Sequence, residues 1–152
     1  MHQDTLNFYK YRPVKKPQYQ GKFCSTPFNT LQIDSDGDVQ LCDCQLHMPY
    51  TIGNIYKNTL QEIWLGESAK QVRQSVIDGD FTYCNWACGS LNNLQTKPKE
   101  GSITTPEFPK IIKLDMDRSC NLKCPSCRES VIIEKNSNKI DQQIRLYGEI
   151  KK

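Results

Sequence analysis

Cys120-Asn121-Leu122-Lys123-Cys124-Pro125-Ser126-Cys127 sets three thiols at C-x₃-C-x₂-C spacing, shortly after the apolar run Ile111-Ile112-Lys113-Leu114. Three thiolates on one short loop hold three irons of a cubane cluster and leave the fourth without a protein ligand. An open metal position is where bound molecules react, as in catalytic zinc sites. A zinc site is the competing reading. Zinc takes four tetrahedral ligands, often as paired C-x₂-C knuckles. Cys124 and Cys127 form one such pair, Cys120 offers a third ligand, and a fourth must come from His47 or Cys44. The asymmetric triplet matches iron–sulfur spacing better than zinc spacing.

The chain has eight cysteines in 152 residues. A disulfide framework and metal binding both produce such a count. Here the cysteines fall in tight groups, Cys42/Cys44, Cys84/Cys88 and Cys120/Cys124/Cys127. Tight grouping suits ligands around one ion or cluster. Met1-His2-Gln3-Asp4 opens no signal-peptide pattern, and no stretch approaches the roughly 20 apolar residues of a membrane span. A reduced, cytoplasmic, metal-binding protein is therefore expected, without a membrane partner. Formal charge is +3, distributed as +4 over residues 1–22, −5 over 23–94 and +4 over 95–152. No segment carries the dense basic stripe of a nucleic-acid binder. Lys10, Arg12, Lys15 and Lys16 are at most a weak contact for an acidic partner.

The elements that must carry these thiols are partly readable. Residues 1–22 are polar, with Pro13 and Pro17, and read as a basic arm. Residues 29–42 read as a β-hairpin, with Leu31/Ile33 and Val39/Leu41 alternating on either side of Asp34-Ser35-Asp36-Gly37-Asp38. The aspartates do not make an EF-hand, whose sixth loop position is glycine but is Val39 when counted from Asp34. Gly53-Asn54-Ile55 reads as a turn. Thr59 and Glu62 form a capping box for a helix near Thr59–Leu65, with Leu60, Ile63 and Trp64 on its apolar face and Gly66 at its end. A second helix spans Ser68–Ile77 and stops at Asp78-Gly79-Asp80. Residues 95–110, with three prolines and one glycine, read as a linker. Ile111–Leu114 is a short strand, which unpaired would be an aggregation hazard. Asn138–Lys151 is expected to be a helix with Ile140, Ile144, Leu146 and Ile150 apolar.

Strand, cysteine loop and helix in that order resemble the first βα unit of an α/β barrel, where sites form at strand C-termini. The run Leu114-Asp115-Met116-Asp117-Arg118-Ser119-Cys120-Asn121-Leu122-Lys123-Cys124-Pro125-Ser126-Cys127-Arg128 resembles the cluster loop of the radical S-adenosylmethionine (radical SAM) family. The resemblance covers residues 111–152. It implies that Cys120, Cys124 and Cys127 ligate a [4Fe–4S] cluster whose open iron is chelated by S-adenosylmethionine. One-electron reduction then releases a 5′-deoxyadenosyl radical, the cofactor carrying the hard chemistry. An electron donor such as a flavodoxin or ferredoxin is implied. The residue before the third cysteine, often aromatic in that family, is Ser126, which leaves a backbone contact to the adenine. Lys123, Arg128 and Arg118 read by default as solvated basic side chains.

The first half resembles the SPASM domain, an auxiliary iron–sulfur module of radical SAM enzymes. The resemblance rests on C-x₁₂-G-x₄-C from Cys24 through Gly37 to Cys42, on Pro27-Phe28, Gly53-Asn54-Ile55, Leu60-Gln61-Glu62-Ile63-Trp64 and Arg73, and on Cys84-x₃-Cys88. The stretch near Ser75 and Asp78 lacks the cysteine pair of a full two-cluster pattern. The resemblance therefore implies one auxiliary [4Fe–4S] cluster on Cys24, Cys42, Cys84 and Cys88. Cys44 is an alternative ligand to Cys42 or a bystander.

The expected class is α+β: a small SPASM-like hairpin-and-helix domain, then the first β-loop-α unit of a (β/α) radical SAM barrel. The expected divisions are an arm at 1–22, the SPASM-like domain at 23–94, a linker at 95–110 and the start of a radical SAM core at 111–152. About forty residues follow Lys110, whereas a full barrel takes about 250. The core is expected to be incomplete, as the N-terminal part of a larger enzyme, a truncated product, or one whose barrel a separate chain supplies. The expected function is the iron–sulfur portion of a radical SAM/SPASM enzyme that modifies a peptide or protein. The alternatives are an electron-transfer module that does not cleave S-adenosylmethionine and a zinc-binding interaction module.

Overall fold

In the computed structural model the chain is described over residues 19–42, 48–85, 87–115, 119–122, 130–133, 141–144 and 147–148. The elements run β1 (Lys22–Phe23), a 3-10 turn (Thr26–Phe28), β2 (Thr30–Asp34), β3 (Asp38–Leu41), β4 (Thr51–Asn54), α1 (Leu60–Trp64), α2 (Glu67–Ile77), a second 3-10 turn (Gly89–Asn93), β5 (Gln95–Thr96) and β6 (Ile111–Asp115). They form a mixed α+β structure with a two-stranded sheet, β1-β5, and a four-stranded sheet ordered β4-β3-β2-β6. No described helix is long and apolar enough to cross a membrane.

The expected hairpin forms, and its alternation sets the core. Leu31 pairs with Leu41 and Ile33 with Val39. All four are fully buried, together with Trp64, Ala69, Val72, Val76 and Phe81. The turn is tied by its own first carboxylate, since Asp34 Oδ1 accepts the N–H groups of Asp36 and Asp38 at 2.9 and 3.1 Å. Gly37 sits at φ +81, and a Cβ there would lie 2.5 Å from the Tyr56 ring. Both conformation and space therefore require glycine.

Gly53-Asn54-Ile55 ends β4 and locks that turn. Gly53 lets the strand approach α1, because a Cβ would meet Ile63 at 2.9 Å. Asn54 Nδ2 donates to Asp36 O and to Asp38 Oδ1, and the Ile55 N–H donates to Gly37 O at 2.8 Å. The capping box of α1 is present in both directions, Thr59 Oγ1 accepting from the Glu62 N–H and Glu62 Oε2 from the Thr59 N–H. These bonds hold the Glu62 carboxyl below its usual range. The charged cap is thus complete above the ordinary carboxylate range and is lost as pH falls through the depressed value. Gly66 is the N-cap of α2 rather than a left-handed stop, and its lack of a side chain spares a 2.6 Å clash with Glu62 O.

Residues 95–110 do not hang free as a linker would. Gln95 and Thr96 pair with β1, and the Lys97 N–H donates to Gly21 O. Ile103 packs on the core. Trp64 Nε1 donates to Pro106 O at 2.8 Å, and Gln61 Nε2 to Glu107 Oε1 at 3.1 Å. The segment straps the domain and delivers β6 parallel to β2, with Thr30 opposite Ile111 and Asp34 opposite Asp115. The Ile111–Leu114 strand is thus paired along one edge, with Ile112 and Leu114 turned toward the core. Residues 141–144 and 147–148 are helical, within the helix expected at 138–151, and Ile144 is exposed.

Gly37→Ala forces a side chain into the left-handed region and against Tyr56. It is expected to destabilise the fold by about 1–3 kcal/mol, read as a lowered denaturant midpoint with an unchanged slope.

Candidate metal centre

Four cysteines reach one core from three directions. Cys24 leaves β1 and enters the first 3-10 turn, its Sγ 3.6 Å from Thr26 Oγ1. Half-buried, it lines an open cavity of about 340 Å³ with Thr26, Gly89, Ser90 and Asn93. Cys42 follows β3 with φ 133, a backbone region that side-chain-bearing residues rarely adopt. Its N–H donates to Thr30 O at 3.1 Å, which holds it beside the start of β2.

Cys84 and Cys88 are placed by the reversal after α2. The N–H groups of Asp80 and Phe81 both donate to Ser75 O at 3.0 Å, and Phe81 takes φ 48. The Cys84 N–H then donates to Phe81 O at 2.9 Å. Asn85, fully buried, shapes the C-x₃-C step. Its backbone O accepts the Cys88 N–H at 3.0 Å and its Oδ1 the Ala87 N–H at 3.1 Å. Sequence reasoning passed over Asn85, although asparagine inside a short Cys–Cys step is a turn signal.

Cys42, Cys84 and Cys88 are each buried in the central apolar cluster, and Cys24 packs against it. No disulfide joins Cys24, Cys42, Cys84, Cys88 and Cys120. Among the described residues, no three His, Cys, Asp or Glu side chains converge on a point that would hold a single metal ion. A cubane spreads its four thiolates over its corners instead of gathering them on one ion. Soft sulfur donors in an apolar shell are the donor set such clusters take. The donors present at this core thus fit an iron–sulfur cluster. Cys44 and His47 lie outside the described residues.

Arg73 braces this end of the molecule. Its Nε donates to Pro27 O at 3.1 Å and its Nη1 to Trp64 O at 2.7 Å. The guanidinium carbon lies 4.1 Å from the Trp64 ring centroid. Burial pushes its pKa down to about 10, which leaves it cationic at neutral pH.

At the other cysteine site the described portion is small. Cys120 is half-buried and exchanges backbone hydrogen bonds with Ile132, the Cys120 N–H donating to Ile132 O at 2.8 Å and the Ile132 N–H to Cys120 O at 3.2 Å. Cys124, Ser126 and Cys127 fall between these two residues in sequence. Those three residues, with Lys123, Arg118 and Arg128, lie outside the described residues.

Residues 24–89 match the family model of SPASM, described as an iron-sulfur cluster-binding domain. The match begins at Cys24 and ends one residue past Cys88. Neither the curated proteins nor the solved structures give a match to the chain. Residues 24–89 are a SPASM domain, and iron–sulfur cluster binding is the function it brings.

The burial of the thiols predicts an order of reactivity. In the reduced, metal-free protein under native conditions, iodoacetamide should alkylate Cys24 well before Cys42, Cys84 and Cys88, as read by peptide mass mapping. Equal labelling of all four would show that these thiols do not share a closed core.

Proposed function

We propose that the chain is the iron–sulfur portion of a radical SAM/SPASM enzyme, binding two [4Fe–4S] clusters and S-adenosylmethionine. The observation that carries this reading is the SPASM match over four cysteines entering one core. The C-x₃-C-x₂-C loop that follows β6, a strand paired to the same sheet, supports it.

Cys24, Cys42, Cys84 and Cys88 would hold the auxiliary cluster, with Cys44 as the alternative to Cys42. Four thiolates close that site, which suits electron transfer or a structural role. Cys120, Cys124 and Cys127 would hold the other cluster and leave one iron open. When bound, that cluster and S-adenosylmethionine supply one-electron cleavage of the sulfonium to a 5′-deoxyadenosyl radical. The chain's own part is positional. The Cys120–Ile132 bridge pairs the residues that flank Cys124 and Cys127 in sequence, and by the family resemblance the Ser126 backbone would contact the adenine. The substrate is a peptide or protein, and electrons come from a flavodoxin- or ferredoxin-type donor.

The test is anaerobic reconstitution, assay of iron, sulfide and zinc, and EPR of the reduced protein with and without S-adenosylmethionine. The reading expects about eight irons per chain, one signal that moves on adding S-adenosylmethionine, and loss of that signal alone in Cys124→Ala. About four irons and no movement would replace it with an electron-transfer module. Zinc without sulfide would overturn both.

A further inference from the structure

We propose that Arg73 is the buried countercharge of the cluster held by Cys24, Cys42, Cys84 and Cys88, tuning that cluster's affinity for an electron as well as bracing its shell. The inference rests on the reading of those four cysteines as ligands.

A buried cation normally finds an anion, because desolvation is otherwise uncompensated. Arg73 is 4% exposed, yet both its hydrogen bonds go to neutral carbonyls, those of Pro27 and Trp64. Its Nη2 is buried with no hydrogen-bond partner. The carbonyls and the Trp64 ring satisfy its direction and shape but leave its charge unmatched. The one buried described carboxylate, Asp34, belongs to the far end of β2, where it accepts the hairpin-turn amides.

The near end of β2 is the cysteine end. Pro27, which Arg73 holds, is three residues from Cys24 and three from Thr30, whose carbonyl fixes Cys42. The groups in this core that become anionic on metal loading are the thiols. A cubane on four thiolates is an anion and gains a further negative charge when one electron enters, with no bond broken. A fixed cation in the same low-dielectric core favours the more anionic, reduced state, since net charge and burial set cluster potentials. The guanidinium thus has its counterion in the loaded protein.

The experiment uses the full chain carrying Cys124→Ala, so that the SPASM cluster is the one observed, with Arg73→Gln or Arg73→Lys added. Iron and sulfide are assayed first. The midpoint potential is then read by EPR during titration with dithionite as the one-electron donor. The expected result is a more negative midpoint for Arg73→Gln and a near-parental one for Arg73→Lys, which keeps the charge but not the fork. Loss of the cluster from Arg73→Gln, with Arg73→Lys retaining it at the parental midpoint, gives the same support. A parental midpoint in Arg73→Gln, equal shifts in both variants, or loss of the cluster from both would reduce Arg73 to a brace and overturn the proposal. If the parent takes up no iron and sulfide, the assignment of the four cysteines fails first, and the proposal with it.

Discussion

Burial of one face of the β2–β3 hairpin is the interaction on which the rest of this structure depends. Leu31, Ile33, Val39 and Leu41 are fully buried, and each such side chain contributes about 1.5–3 kcal/mol. Ile63 and Trp64 of α1 and Ala69, Val72 and Val76 of α2 join that face in one core. This packing brings the end of α2, and with it Cys84 and Cys88, to the core that Cys42 enters from β3. Cys24 and Cys84, 60 residues apart in sequence, thereby pack on one apolar cluster without a crosslink. The glycines at 37 and 53 serve the same closure, by admitting the Tyr56 ring and Ile63 where a Cβ would collide.

Unfavourable local features gather at the cysteine end. Cys42 and Phe81 occupy positive φ, Asn85 is a buried polar residue, and Arg73 is a buried cation. Asn85 is hydrogen-bonded, whereas the positive φ angles and the buried charge are costly, and such costs persist only where surrounding contacts enforce them. At the hairpin-turn end Asp34 and Asn54 bond to nearby backbone and side-chain groups, while the Ser35 hydroxyl is buried without a hydrogen-bond partner.

Much of the domain was legible in the sequence because its signals are local. The Leu31/Ile33 and Val39/Leu41 alternation, the Asp–Gly turn and the Thr59/Glu62 box each lie within a few residues. The SPASM pattern was legible as Cys24, Gly37, Cys42, Cys84 and Cys88 in register with Gly53-Asn54-Ile55 and Trp64. The pairing of β6 with β2 was not, since it joins Ile111 to Thr30 across about eighty residues and no local pattern encodes it. The strap character of residues 95–110 was hidden for a similar reason. Prolines such as Pro106 read as breakers, whereas here the Pro106 carbonyl is the acceptor for the Trp64 indole. Arg73 was visible as a motif residue, but its burial and unmatched charge depend on tertiary packing.

The central claim is that Cys24, Cys42, Cys84 and Cys88 close one iron–sulfur site on the hairpin core. Mössbauer spectroscopy of iron-57-reconstituted full chain, with Cys120, Cys124 and Cys127 all changed to alanine, tests it most directly. The account predicts about four irons with matching sulfide, all in sulfur-ligated tetrahedral sites whose parameters ignore added S-adenosylmethionine. A chain that retains no iron, or one iron that shifts on adding S-adenosylmethionine, would contradict it.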